Sequence, residues 1–136
     1  MPSDQYLRAS YRREDLKTDR TERHVASYAR VRFARVSPRK ARLLADLIRG
    51  LQVDQALNVL KFTHRPSAGP IVERLLKSAM ANVNRAERLD PKVLFVGRVW
   101  VDGAGMLKRF RPRAFGRAAR VRKRLCHISM ELVAQS

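Results

Sequence analysis

The sequence predicts an α+β domain: a small three-helix body packed on a short antiparallel sheet, with a long β-hairpin arm protruding from it. Three observations carry this. Segments with helical apolar spacing lie together in the middle of the chain instead of alternating with strands. The stretches Val93–Val101 and Leu125–Val133 read as strands, rich in β-branched or alternating residues. Between them, the 28 residues from Gly103 to Met130 carry nine Lys or Arg side chains and no Asp or Glu.

The elements follow in order. Met1 to about His24 is polar, mixed in charge and poor in large aliphatics. Residues 1–27 are therefore expected to form a tail, disordered when free, ahead of a single domain over 28–136. Tyr28–Val36 alternates weakly and predicts a first strand, Val31 and Phe33 facing the core and Arg30 and Arg32 facing out. Ser37-Pro38 marks a helix start, with serine at the cap and proline at the first helical position. Ala41, Leu44, Leu47, Ile48 and Leu51 continue at helical spacing, Arg39, Arg42 and Arg49 fall on another face, and Gly50 is the stop.

Asp54 predicts the cap of a second, shorter helix carrying Ala56, Leu57 and Leu60. His64–Pro70, with two prolines, a serine and a glycine, is a connection. A third helix runs from about Pro70 to Arg85 on the stripe Val72, Leu75, Leu76, Ala79, Met80 and Val83. Leu89-Asp90-Pro91 ends it. In the last strand Ile128, Met130 and Leu132 share one face, and His127, Ser129 and Glu131 the other.

The residues between the last two strands lack the side chains for a core of their own. They predict a continued antiparallel hairpin, over about 102–124. At about 3.3 Å per residue, ten residues a side reach roughly 30 Å. An isolated ribbon is marginal in water, so its tip is expected to be mobile in the free protein.

Composition narrows the function. With 136 residues and 45% hydrophobic content the chain builds one core. Thirty Lys plus Arg against 12 Asp plus Glu give a net charge of +18, which one compact domain holds only at the cost of self-repulsion. A polyanionic partner relieves it, and the excess of Arg over Lys favours phosphate recognition and stacking on bases. Cys126 is the single cysteine, so no internal disulfide forms, which suits a reducing compartment. No apolar run reaches the ~20 residues of a membrane span. No signal-peptide core is present, and the acids at Asp4, Glu14, Asp15, Asp19 and Glu22 argue against a transit peptide.

His24, His64 and His127 have no metal-ligand spacing, no nucleophile–base set stands out, and Gly103-Ala104-Gly105 is too short for a phosphate loop. The expectation is a binding protein with no cofactor and no metal, not an enzyme. Its candidate contacts are the helix start, Arg35, Ser37, Arg39, Lys40 and Arg42, and the arm, Lys108, Arg109, Arg111, Arg113, Arg117, Arg120, Arg122, Lys123 and Arg124, with His127 near the root. Phe110 and Phe115 lie among the arginines, placed to stack on bases or pack across the ribbon, while Met106 and Leu107 are apolar near the arm's start. Two alternatives share the charge. A DNA-architectural protein with basic β-arms commonly needs a dimer and a wedge at the tip, for which Pro112 is the candidate. A membrane-active basic protein needs the apolar side of the Ser37–Gly50 helix, which the core already claims.

The residues also resemble a known family. Lys108, then Arg113-Ala114, Gly116-Arg117 and, nine residues on, His127-Ile128-x-Met130-x-Leu132 is similar to the signature of the bacterial large-subunit ribosomal protein L-twenty-two family. Ser37-Pro38-Arg39-Lys40 with Arg42-Leu43, Leu76–Asn82 and Val101-Asp102 resemble further family segments in the same order, so the likeness spans about Tyr28 to Val133. The longer N-terminal tail, Met106-Leu107 and Phe115 depart from the usual pattern. The resemblance implies an α+β body near the nascent-chain exit of the large ribosomal subunit. It implies a hairpin threaded through 23S-type rRNA and early rRNA binding that helps assembly. The tip, by position Leu107, Lys108 and Arg109, then lines the exit tunnel. The implied partners are several domains of large-subunit rRNA, neighbouring large-subunit ribosomal proteins and the passing nascent polypeptide. No membrane or DNA is expected, and the location is the ribosome of a bacterial-type cytoplasm.

Overall fold

A computed structural model describes residues 25–86 and 89–134. The expected tail falls outside the described residues, except that 25–27 already belong to a strand. The elements are β1 (Val25–Ala34), α1 (Pro38–Ile48), α2 (Val53–Phe62), α3 (Gly69–Ala86), a 3-10 turn (Pro91–Val93), β2 (Leu94–Pro112) and β3 (Ala118–Ala134). This is the expected α+β plan, with helices packed on a three-stranded antiparallel sheet in the order β1-β3-β2. The last strand in sequence is the central one, so the hairpin's return strand is paired on both sides within the body.

The core lies between the sheet and the helices. Ile128, Met130 and Leu132 of β3 meet Leu44 and Ile48 of α1, Val53 of α2 and Val72, Leu76 and Val83 of α3 in one cluster, all fully buried. Burying each large aliphatic contributes about 1.5–3 kcal/mol. The third-helix stripe is as expected, with Met80 only half-buried at the cluster's margin. In the first helix Leu47 is half-exposed, and Ala45 takes the core position instead. Ser37 occupies the N-cap position of α1 and Pro38 its first turn, but the serine side chain makes no cap hydrogen bond. Gly50, at φ +80, turns the chain after Arg49. In α2 the cap position belongs to Gln52, and Asp54 lies inside the first turn, where its charge faces the positive end of the helix.

Bulges set which strand residues face inward. The β1–β3 register gains one residue on β1 between Val31 and Ala34. Phe33 falls in that bulge at φ +54 and lies outside the core, 56% exposed, so the expectation that it packs inward is corrected: the extra residue reverses the alternation. Val31 is partly buried, as expected. A second bulge, between Val96 and Arg98, lets Leu94, Val96, Val99 and Val101 all be buried although their spacing is uneven. Ser129, expected on the outer face, is buried there because Tyr28 and Trp100 cover it; the Tyr28 hydroxyl lies 3.4 Å from Ser129 Oγ and the two rings are 6.1 Å apart.

The free edge of β2 is sealed. Gly50 N–H donates to the Val96 carbonyl at 2.8 Å and Val96 N–H to the Leu51 carbonyl at 2.9 Å. Further along, Arg49 donates to the Val99 carbonyl at 2.9 Å, and Arg42 Nε and Nη2 donate to the Val101 carbonyl at 3.3 and 3.1 Å. These contacts occupy backbone groups that an open edge leaves to another chain.

Candidate nucleic-acid interface

Past Asp102 the β2–β3 ladder leaves the body without interruption of the strands. A third bulge, between Gly103 and Met106, stands at the departure point, and regular pairing continues to Pro112 opposite Ala118. No residue from 102 to 124 is buried. Alternation divides the arm's side chains between two faces. One face carries the pairs Met106–Arg124, Lys108–Arg122 and Phe110–Arg120, and the other Leu107–Lys123, Arg109–Val121 and Arg111–Ala119. Lys108 directly opposite Arg122 is a like-charge pair, which disfavours the ribbon unless an anion lies over it. Cations stand on both faces, so the arm can meet phosphates on two sides at once. The ion pairs Arg49–Asp46 and Lys77–Glu73 lie within body helices.

The chain reverses at Ala114–Arg117. Phe115 and Gly116 have φ of +57 and +65, the signs of a type I′ hairpin turn, and Arg117 N–H donates to the Ala114 carbonyl at 3.3 Å. Arg113 N–H closes the ladder on the Arg117 carbonyl at 2.7 Å. Leu107, Lys108 and Arg109 therefore stand in the paired part of the arm, and its physical end is Phe115, 97% exposed. Motif position placed the tip too early, because the arm's length is set by the turn glycine and not by the start of the signature.

The expected contacts at the helix start divide by role. Arg35, Arg39 and Lys40 are exposed and Ser37 is half-buried, its carbonyl accepting from Lys40 N–H at 3.0 Å and Ala41 N–H at 3.2 Å. No acid lies in the first turn of α1, so its positive end is not neutralised locally. Arg42 spends two of its donors on Val101, at the arm's root; an arginine has five, so the others can reach an anion. Arg49, which charge alone would class with the others, is a fold residue bonded to Asp46 and Val99.

His127 lies beside the β1 bulge. Phe33 N–H donates to its Nδ1 at 3.0 Å, so a neutral ring carries its proton on Nε2. The rings of Phe33 and His127 meet edge to face, 4.7 Å between centroids, and the Arg32 guanidinium sits 5.6 Å from the Phe33 centroid. A left-handed φ at a bulky residue costs on the order of 1–3 kcal/mol. The cross-strand histidine bond helps hold it. Next to this cluster a cleft of about 380 Å³ opens between β1 and α3. Sequence periodicity placed Arg30 and Arg32 outward but gave no sign of the cleft, because the bulge that forms it breaks the period.

Among the described residues no group of three or more His, Cys, Asp or Glu side chains is placed to hold a metal, and no helix is long and apolar enough to cross a membrane. Comparison with known proteins agrees with the geometry. Residues 29–133 match the family model described as Ribosomal protein L22p/L17e. The chain is 51% identical over 106 residues to the large ribosomal subunit protein uL22 of Trichlorobacter lovleyi, covering 78% of this chain and 93% of that one. It is 47% identical over 106 residues to the proteins of that name from Pelobacter propionicus and Geotalea daltonii, again 78% of this chain and 95% of each of theirs. An α+β body, a basic hairpin and a match over nearly all the described residues place this chain in the ribosomal protein L22p/L17e family.

Proposed function

We propose that the chain is a structural constituent of the large ribosomal subunit that binds large-subunit rRNA and helps it assemble. The observation that carries this is the arm: nine cations over Gly103–Met130, displayed on both faces of a ribbon with no acid among them. A ribbon this thin has no core to stabilise it, and its like charges repel. RNA packed against both faces supplies the counter-charge, and release of condensed cations from the phosphates drives the association. The arm thereby ties together rRNA segments that the body alone cannot reach. The role is structural, not enzymatic, and its place is the ribosome in the cytoplasm of a bacterium.

The body is proposed to sit near the nascent-chain exit and the arm to run inward to the tunnel wall. Leu107, Lys108 and Arg109 are read as wall residues along the arm, with the turn at Phe115 reaching beyond them. Half-exposed Leu43 and Leu47 on α1 and exposed Phe62 at the end of α2 offer apolar ground for neighbouring ribosomal proteins.

Titrating the complex of the full chain with a large-subunit rRNA fragment against salt tests the reading. The logarithm of affinity should fall linearly with the logarithm of salt, by about 0.7–0.9 for each phosphate contacted. An affinity that salt leaves unchanged, or a protein that fails to sediment with large subunits, overturns it.

A further inference from the structure

Among the described residues, two that are not glycine have a left-handed φ, and both are exposed phenylalanines, Phe33 and Phe115. Phe115 belongs to the turn of the arm. Phe33 is on the body, far along the strand from the arm's end, and the hairpin geometry does not require it. Its backbone is held by the bond to His127 Nδ1 and its ring borders the cleft between β1 and α3. At about 380 Å³ the cleft falls at the small end of ligand sites. Its floor is apolar, from Val31, Ile71 and Leu75, and every charged side chain lining it is an arginine: Arg30, Arg32 and Arg74. Ser78 adds a hydroxyl.

We propose that this cleft holds one unpaired nucleotide of the rRNA, its base stacked on Phe33 and its phosphate met by Arg30 or Arg74. The inference rests on the rRNA-binding reading above and adds to it a site for a single extruded base. An aromatic face and a guanidinium plane are the two side-chain surfaces on which unpaired bases stack. The apolar floor suits a base withdrawn from water, and the absence of any lining carboxylate suits a phosphate. A bulge at a paired position displays the ring outward, where regular alternation buries it. The arm contributes sequence-blind attraction along its length; this cleft contributes one fixed anchoring point on the body.

The experiment is nucleotide-resolution chemical probing of large-subunit rRNA bound to the full chain and to variants. Phe33→Gly is the main variant, since glycine accepts the +54° torsion while the stacking side chain is removed. Wild-type protein should shield one nucleotide, or two adjacent ones, that Phe33→Gly leaves reactive while the remaining footprint stays. Phe33→Tyr should restore the shielding, and Arg74→Ala should weaken it at the same nucleotide. Affinity for a fragment containing that nucleotide should fall roughly five- to a hundredfold in Phe33→Gly, the range expected for one lost stack.

A Phe33→Gly footprint identical to wild type overturns the proposal and leaves the arm's role standing. So does a loss spread over the whole footprint, which marks Phe33 as a fold residue. No footprint with wild-type protein overturns this proposal and the rRNA reading together. Free adenosine or uridine monophosphate serves as the second probe. If either monophosphate shifts the Phe33 and Ser78 resonances at micromolar concentration, the cleft is a mononucleotide site and the rRNA assignment is overturned.

Discussion

Arg42 Nη2 lies 3.1 Å from the carbonyl oxygen of Val101, the last buried residue of β2 before the arm departs. With Nε at 3.3 Å from the same oxygen, the side chain joins the first body helix to the root of the hairpin. Arg49, two turns on, does the same for the Val99 carbonyl at 2.9 Å. The direction in which the arm leaves the body is thus set by helix arginines on an edge strand.

It follows that Arg42→Ala and Arg49→Ala destabilise the isolated protein, before any RNA is present. Arg42→Ala loses the two-donor contact to the Val101 carbonyl and Arg49→Ala the contact to the Val99 carbonyl, charge-assisted contacts for which about 1.5–3 kcal/mol is expected. For a chain of 136 residues that lowers Tm by roughly 3–4 °C per kcal/mol. Thermal unfolding checks the size, and amide exchange should speed up around Val99–Gly103. An unchanged Tm with weakened RNA binding would show instead that Arg42 serves only the RNA.

Gly97 explains the second bulge and gives a sharper test. A Cβ at this position comes within 2.8 Å of Val133 Cγ1, and β-branched Val133 has little freedom to move aside. Gly97→Ala should therefore cost about 1–3 kcal/mol through overpacking, and pairing it with Val133→Ala should recover part of the loss. Denaturant midpoints of the two single variants and the double variant measure the coupling.

The arm's separateness from the core predicts that it can be removed. Residues 102–124 contribute nothing buried. Replacing Leu107–Lys123 with a two-residue Asn-Gly turn between the register partners Met106 and Arg124 removes eight of the nine cations. Tm should stay within about 3 °C of the full chain, or rise as repulsion is relieved. The salt dependence of rRNA binding should flatten steeply. Unfolding of the body on this deletion would contradict the picture of an arm carried by an independent core.

At the hairpin's end, Phe115 occupies a φ of +57 in the first central position of the turn. Phe115→Asn creates the Asn-Gly pair that such turns favour. It should gain about 0.5–1 kcal/mol in the ribbon, read as slower amide exchange at Arg113 and Arg117, whose N–H groups close the turn. Faster exchange would mean the turn is held by something other than backbone torsion.

These residues also show where sequence reading succeeds. The three helices were legible because their apolar stripes have one period and one buried side, down to Val72, Leu76, Ala79 and Val83. The arm was legible because charge without acids, between two strand-like runs, has few other places to go. What could not be read is whatever depends on a shift of register. One extra residue near Phe33 turns an expected core aromatic outward and makes a cleft; one near Gly97 lets four unevenly spaced residues share the core. Leu47 and Ala45 exchange roles because α1 leans on β2 through Arg42 and Arg49, an angle set by those contacts and invisible in periodicity. The end of the arm was misplaced for a related reason: the turn is defined by paired torsions at Phe115 and Gly116, not by where the basic signature begins.

Cys126 supplies the last test, from the centre of the sheet at the arm's root. It is fully buried, opposite Gly103 on one side and Ala34 on the other. Burial pushes its thiol pKa above the ordinary range, while the positive charge of Arg42 pulls in the opposite direction without overcoming it. The folded state therefore holds this proton more tightly than the unfolded chain does. Its contribution to stability is complete below the ordinary thiol pKa and is lost as pH rises through that value toward the folded one. Wild-type protein should thus lose more stability than Cys126→Ala as pH rises through the ordinary thiol pKa of about 8.5 and above it. The difference between the two curves isolates the thiol from every other group in the chain. Iodoacetamide should label the native protein slowly and the unfolded chain fast. Parallel stability curves, or rapid native labelling, would mean that the root of the arm opens to water and that the seal made by Arg42 is not closed in solution.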